Sequence, residues 1–178
     1  PFIMTGAVVG GTGTIRLTAP GARARLAPGV GVTQGGIGSE QRLEGVGQIA
    51  IDLINDGTIA PGLSIGTMTA TQPIFFSGVS NFEAEVNGST SDLLDNSSTI
   101  ELHGNLDIQF VDGFNPAGFW VRTVMEASDI TGKFDSVSAP AAPSGLVTRV
   151  VNTGTEILIG QTCQAWWIEL LRCIAVPF

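Results

Sequence analysis

Apolar and polar residues alternate along much of this 178-residue chain, and the alternation is clearest in its middle. From Ile100 to Phe110 every second residue is apolar, apart from Gly104, and the residues between them are polar. A period of two over this length predicts a β-strand with one buried and one solvated face, and helical spacing fits it poorly. The glycine inside the apolar series predicts a bend or a tightly packed corner.

The same alternation recurs in shorter stretches that are separated by turn-forming residues. In NFEAEVNG, Phe82, Ala84 and Val86 are expected to face the interior, and the two glutamates between them are expected to face solvent. Glycine, asparagine and proline punctuate the rest of the chain. Many short strands joined by turns predict an all-β protein.

Composition agrees with this fold class and excludes some partners. The chain has 24 glycines, one lysine, one histidine and no tyrosine, and only 13% of its residues are charged, so it has little of the material of surface helices. A net charge of −8 argues against nucleic acid, which requires clustered lysine and arginine. No apolar run reaches the length of a membrane span. Because the chain begins at Pro1 and shows no signal-peptide pattern, we expect a processed or excised form.

Several predicted strands begin after a small polar turn, at Gly13, Gly57, Ser98 and Gly154. Their spacing is uneven, so the chain has no fixed-period repeat. The pattern is compatible with the rungs of a β-helix interrupted by variable loops, and equally with an irregular β-sandwich.

The tail of the chain, residues 161–178, is apolar and differs from the rest. Cys163 and Cys173 lie in it, and their spacing can close a disulfide loop in an oxidising compartment. Its apolar residues are also compatible with a short C-terminal helix. We expect the tail either to cap the core or to take part in assembly, because exposed strand ends template association. The candidate assembly residues of the two termini are Phe2, Ile3, Trp166, Trp167 and Phe178.

Gly62-Leu63-Ser64-Ile65-Gly66 fits the G-x-S-x-G pattern of a hydrolase nucleophile elbow. An elbow needs a helix after the serine, but the residues that follow are rich in threonine and predict a strand. The only histidine, His103, is expected on the outer face of another strand. We therefore interpret the motif as a turn in which Pro61 fixes φ and Gly62 accepts a positive φ. Ser64 is expected to be replaceable, and Gly62 is not.

Acidic residues offer two further hypotheses. Glu83 and Glu85 share one strand face about 7 Å apart by strand geometry, a separation that glycosidases use. Asp92 and Asp95 carry oxygen ligands for calcium, and GGIGSEQRL (residues 35–43) partly matches a calcium-binding nonapeptide. A solvated strand face and a capped turn are the simpler interpretations. No catalytic residue, metal or cofactor is therefore predicted.

Two N-x-S patterns begin at Asn87 and Asn96 and are expected on exposed turns. They are candidate N-glycosylation sites if the host glycosylates its surface proteins.

Three blocks of the chain, taken in order, resemble bacterial autotransporter-type and related surface-exported β-solenoid proteins. Gly57 to Thr67 matches a G-x-[IL]-x-P-G-x-S-x-G-T strand pair. Asp92 to Leu106 matches a block that begins D-x-L and ends G-x-L, and a turn with glycine, phenylalanine and proline follows at Asp112 to Pro116. Ile130 to Val137 matches a strand that begins Ile-Thr-Gly. The resemblance spans roughly residues 45–160 and does not include the cysteine-containing tail.

The resemblance implies a right-handed parallel β-helix on a cell surface, where such proteins serve as stalks, adhesins or matrix components. We expect one β-solenoid domain over residues 1–160, with a β-sandwich as the alternative, and a location outside the cell or on its surface. The expected function is structural and not enzymatic: a homo-oligomer or polymer that builds a fibre, sheath or matrix.

Two alternatives to this function stay open. An adhesin or glycan-binding module should carry exposed aromatic residues or Asn and Asp on one face, and its partners would be surface glycans. A polysaccharide-degrading β-helix enzyme should bring acidic or basic residues together in a groove.

Overall fold

A computed structural model describes residues 3–5, 13–27 and 34–163, and these residues form strands and turns without a helix. The prediction of an all-β protein is confirmed. The helix predicted for the tail lies outside the described residues, as do Phe2, Trp166, Trp167, Cys173 and Phe178.

The described residues form fifteen strands. They are β1 Ile3–Thr5, β2 Gly13–Ala27, β3 Gln34–Ile37, β4 Gln41–Ile49, β5 Asp52–Asn55, β6 Thr58–Pro61, β7 Thr67–Ala70, β8 Ile74–Phe76, β9 Asn81–Val86, β10 Leu93–Leu102, β11 Asn105–Phe110, β12 Trp120–Gly132, β13 Ser136–Ser138, β14 Leu146–Asn152 and β15 Glu156–Cys163.

Most strand pairs are parallel, and they fall into three series. The first series runs β2–β4–β6–β9–β11–β13. The second runs from the end of β4 through β7 and the start of β10 to β12. The third runs β3–β5–β8 and then through the second halves of β10 and β12. Strands β4, β10 and β12 each belong to two series, so the chain passes repeatedly from one series to the next.

The interior between these series is filled by the alternating apolar residues. In β9, Phe82, Ala84 and Val86 are fully buried, as the alternation predicts. The long strand predicted over residues 100–110 is instead two strands, β10 and β11, that meet at Gly104. Gly104 has φ of +72°, and a Cβ there would lie 2.4 Å from the carbonyl oxygen of Ser80. The alternation of apolar and polar residues continues past this corner because the same side of the chain faces the interior before and after it.

Three phenylalanines fill the middle of the core. The rings of Phe76 and Phe82 are edge to face with centroids 6.1 Å apart, and Phe134 stacks on Phe82 at 6.5 Å. Such aromatic contacts stabilise the core in addition to the burial of apolar surface.

The parallel stacking changes at the C-terminal end of the described stack. Strand β15 pairs antiparallel with β12, and β14 pairs antiparallel with β15. Strand β15 runs past the boundary expected at residue 160 to Cys163, whose backbone lies opposite Leu146. Strand β14 pairs with β15 alone among the described strands and therefore forms one edge of the sheet.

Candidate functional site

The G-x-S-x-G motif forms the corner between β6, which ends at Pro61, and β7, which begins at Thr67. Gly62 has φ of +91°, and its N–H donates to the carbonyl oxygen of Gly45 over 2.8 Å. Ser64 is exposed at the tip of this corner. The structure at Ser64 is strand, turn and strand, without the helix that a nucleophile elbow places after its serine.

Because the Ser64 hydroxyl is exposed, Ser64→Ala should change the free energy of unfolding by no more than about 0.5 kcal/mol. Ser80→Ala is the matched control, since Ser80 is buried and its Oγ donates to the carbonyl oxygen of Ser77 over 2.8 Å. We expect that control to cost about 1 kcal/mol in a urea unfolding titration. A loss at position 64 as large as at position 80 would contradict the placement of Ser64.

The structure does not bring His103 to Ser64. The Nε2 atom of His103 lies 3.7 Å from Oε1 of Glu101, and its ring centroid is 5.9 Å from that of Phe75. Neither His103 nor Glu101 lines the concavity beside Ser64.

That concavity has a volume of about 300 Å³ and lies on the outer side of the first strand series. Its wall on one side is the corner segment, residues 60–64. Its charged side is formed by Arg16, Arg42, Glu44, Glu83, Glu85 and Asp92. Acidic and basic residues that lie far apart in the sequence therefore converge here.

Arg42 holds the charged side together. Its Nε donates to Oε2 of Glu44 over 2.6 Å, and its Nη1 lies 2.7 Å from Oε1 of Glu83. Arg16 donates from Nε to Oε1 of Glu44 over 2.6 Å. Glu44 lies opposite Ala60 on the neighbouring strand β6. Ala60 also lines the concavity, and Arg42 bridges Glu44 on β4 and Glu83 on β9.

These ion pairs keep Glu44 and Arg42 charged. Burial alone would raise the pKa of Glu44, but the hydrogen bonds from Arg42 and Arg16 outweigh it and hold the pKa below its usual 4.5. Burial would lower the pKa of Arg42, but its bonds to Glu83 and Glu44 raise it. Glu44 and Arg42 are therefore charged throughout the range in which proteins are normally handled.

Asp92 is a buried carboxyl that hydrogen-bonds both to the corner between β6 and β7 and to strand β9. Its Oδ1 accepts the N–H of Gly66 over 2.8 Å, and its Oδ2 accepts the N–H of Glu85 over 2.9 Å. Only 1% of Asp92 is exposed. Burial raises its pKa to about 7, although the two N–H bonds act in the opposite direction.

Glu85 differs from the other carboxylates of the cluster. Among the described residues its side chain has no hydrogen-bond or ion-pair partner. Burial raises its pKa, Arg42 lowers it, and the negative charges of Asp112 and Glu83 raise it further. Glu85 therefore lines the concavity as a carboxylate with no partner in the part of the chain that the structure describes.

The two N-x-S asparagines lie in different environments. Asn87 lies in a surface turn, where its Oδ1 accepts the N–H groups of Ser89 and Thr90. Asn96 is 2% exposed, and its Nδ2 donates to the carbonyl oxygens of Gln72 and Thr99. Asn96 is thus an interior corner residue and does not lie on the exposed turn that the sequence predicted.

Sequence reasoning placed Glu83 and Glu85 on this face but missed Arg42 and Glu44 as their neighbours. Arg42 and Glu44 flank the apolar Leu43 on β4, and this alternation of polar and apolar residues was the one available signal. It shows that they face outward, but it does not show which strands lie beside them.

Within the described ranges, no group of three or more His, Cys, Asp or Glu side chains is placed to hold a metal ion. No helix in that part of the chain is long and apolar enough to cross a membrane. The sequence matches no protein-family model and no curated protein.

Proposed function

We propose that this chain is a right-handed parallel β-helix that acts as an extracellular structural subunit and builds a cell-surface fibre, sheath or matrix by self-association. The observation that carries the proposal is the continuous parallel pairing of strands along three series, with apolar side chains between them. Each coil is stabilised mainly by its neighbours, as in repeat proteins that grow in one dimension.

A strand edge with no further partner among the described strands supplies the route to self-association. Strand β14 has one described partner, and an unpaired row of backbone N–H and C=O groups is a template for another strand. Its sequence, LVTRVVN, contains one charged residue, Arg149, and no lysine or proline that would discourage pairing. Val121, on the strand β12 that pairs with the other side of β15, is 42% exposed, and the adjoining Phe119 is 46% exposed, so exposed apolar side chains are also present at this end of the sheet.

Negative-stain electron microscopy of the purified chain tests this proposal. We expect elongated particles or filaments that lengthen as the protein concentration rises. Val151→Lys on β14 should suppress them, because a lysine at a sheet edge opposes strand addition. Thr99→Lys is the matched control, since it adds the same charge to an exposed position of the inner strand β10. Light scattering that shows a monomer unaffected by dilution would contradict the proposal.

A further inference from the structure

The concavity lies between the corner segment (residues 60–64) and the charged residues around Arg42, and it combines charged groups, an apolar wall and an exposed hydroxyl. It contains the Glu85 carboxylate, which has no hydrogen-bond or ion-pair partner among the described residues, beside a guanidinium whose position is fixed by Glu44 and Glu83. Leu63 forms part of its wall and is 55% exposed, so the wall includes an apolar surface. The exposed hydroxyl of Ser64 lies next to Leu63.

These properties select one ligand chemistry. The arginines offer hydrogen-bond donors, the glutamates offer acceptors, and Leu63 offers an apolar surface. A phosphate or other anion would meet Glu83 and Glu85, and a simple cation would meet the Arg42 guanidinium. A metal ion is disfavoured because the described residues include no group of ligands placed for one. A neutral molecule that has both hydroxyl groups and C–H faces can bond to the donors and the acceptors and can also pack against Leu63.

We propose that this concavity binds a neutral glycan, with sugar hydroxyls bonded to Glu85 and Arg42 and the C–H face of a sugar ring on Leu63. The volume of about 300 Å³ lies at the lower end of the range for small-molecule sites and suits about one or two sugar residues. The site is separate from the strand edges invoked for assembly, so either property can exist without the other.

A polar track leads away from the concavity across the first strand series and extends the site. Asp107 and Gln109 lie directly beside Glu83 and Glu85 on the next strand, β11. In the neighbouring row, Asn105 donates from Nδ2 to Oδ1 of Asn81 over 2.7 Å, and the hydroxyl of Ser136 donates to Oδ1 of Asn105 over 2.9 Å. These strands thus present amides, carboxylates and a hydroxyl in ordered rows, which suits an extended polysaccharide that continues from the pocket.

A glycan array that contains neutral oligosaccharides and uronic-acid oligosaccharides tests the proposal with the intact chain. We expect retention on at least one neutral glycan, and calorimetric titration with that glycan then gives the dissociation constant. Glu85→Ala should weaken binding about tenfold or more, because it removes the charged acceptor. Glu126→Ala, which removes an exposed glutamate from β12 outside the concavity, should leave binding unchanged.

Leu63→Ser provides a second variant at an exposed position, and we expect it to weaken binding several-fold while the thermal unfolding midpoint stays unchanged. Three results would overturn the proposal: no retention on any neutral glycan, retention on uronic-acid glycans alone, or equal affinity in wild type, Glu85→Ala and Leu63→Ser. Electron microscopy of the same samples reports on self-association separately, so failure of the glycan site is distinguishable from failure of the structural function.

Discussion

Gly62→Ala should lower the free energy of unfolding by about 4 kcal/mol, because the new methyl group would clash with neighbouring atoms and the backbone conformation at Gly62 is unfavourable for a residue with a side chain. At φ of +91° an L-residue is strained, which contributes about 1–2 kcal/mol. A Cβ at this position would lie 1.8 Å from the carbonyl oxygen of Ser64 and 2.8 Å from the nitrogen of Gly66. Both are backbone atoms, so relief requires the corner itself to move.

Gly154→Ala separates the two contributions. Gly154 has φ of +98°, close to that of Gly62, and a Cβ there has no heavy atom within 4 Å. That variant should lose only the conformational contribution, about 1–2 kcal/mol. Chemical unfolding of both variants measures the difference, and equal losses would show that crowding at the corner contributes nothing.

Much of the fold is predictable from the sequence because the strands place alternate residues in the apolar interior. Phe82, Ala84 and Val86 alternate with outward glutamates, and the same alternation continues through the corner at Gly104. The alternation is preserved round a corner, so it identifies buried residues correctly but hides where one strand ends and the next begins. This is why one long strand was predicted where β10 and β11 lie.

The candidate site is much less predictable, because its members meet through strand register. Arg42 lies opposite Thr58, and Thr58 lies opposite Asn81, so the number of residues between paired positions changes from one strand pair to the next. An uneven spacing of this kind leaves no period from which the neighbours on adjacent strands can be deduced. The convergence of Arg16, Arg42 and Glu83 therefore becomes visible only in three dimensions.

Asn96 illustrates a second limit on prediction. Asparagine favours surface turns because its side chain bonds to nearby backbone groups. At Asn96 the same capacity satisfies backbone groups at an interior corner: its Oδ1 accepts the N–H of Ser98, and its Nδ2 donates to the carbonyl oxygen of Gln72. The local sequence is similar in both settings, so the pattern N-x-S does not distinguish a buried corner from an exposed turn.

Asp92→Asn should remove a pH dependence of stability that the wild-type protein shows between about pH 4 and pH 7. The pKa of Asp92 is raised from 3.8 to about 7 in the folded protein, mainly by burial. Between these two values the folded protein keeps a proton that the unfolded chain has released. The stabilisation is therefore complete below about pH 4 and is lost as the pH rises through 7. A change of this size corresponds to about 4 kcal/mol.

Urea unfolding at a series of pH values measures the difference in the free energy of unfolding between wild type and Asp92→Asn. In this difference the titration of all groups that the substitution leaves unperturbed cancels. At pH 4 the wild type should be more stable by about 2 kcal/mol, because the asparagine amide turns a donor toward one of the two N–H groups that Asp92 accepts. Above pH 7 the order should reverse.

Asp92→Ala serves as the comparison for Asp92→Asn and should be less stable than the asparagine variant at every pH, since both N–H groups lose their acceptor. If the wild type instead gains stability over Asp92→Asn as the pH rises above 4, the hydrogen bonds from the N–H groups of Gly66 and Glu85 stabilise the carboxylate more than burial destabilises it. The carboxylate would then be the stabilising form. Because Asp92 holds the corner that forms one wall of the concavity, the sign of this dependence also decides whether that wall is held more firmly in acid or in neutral solution.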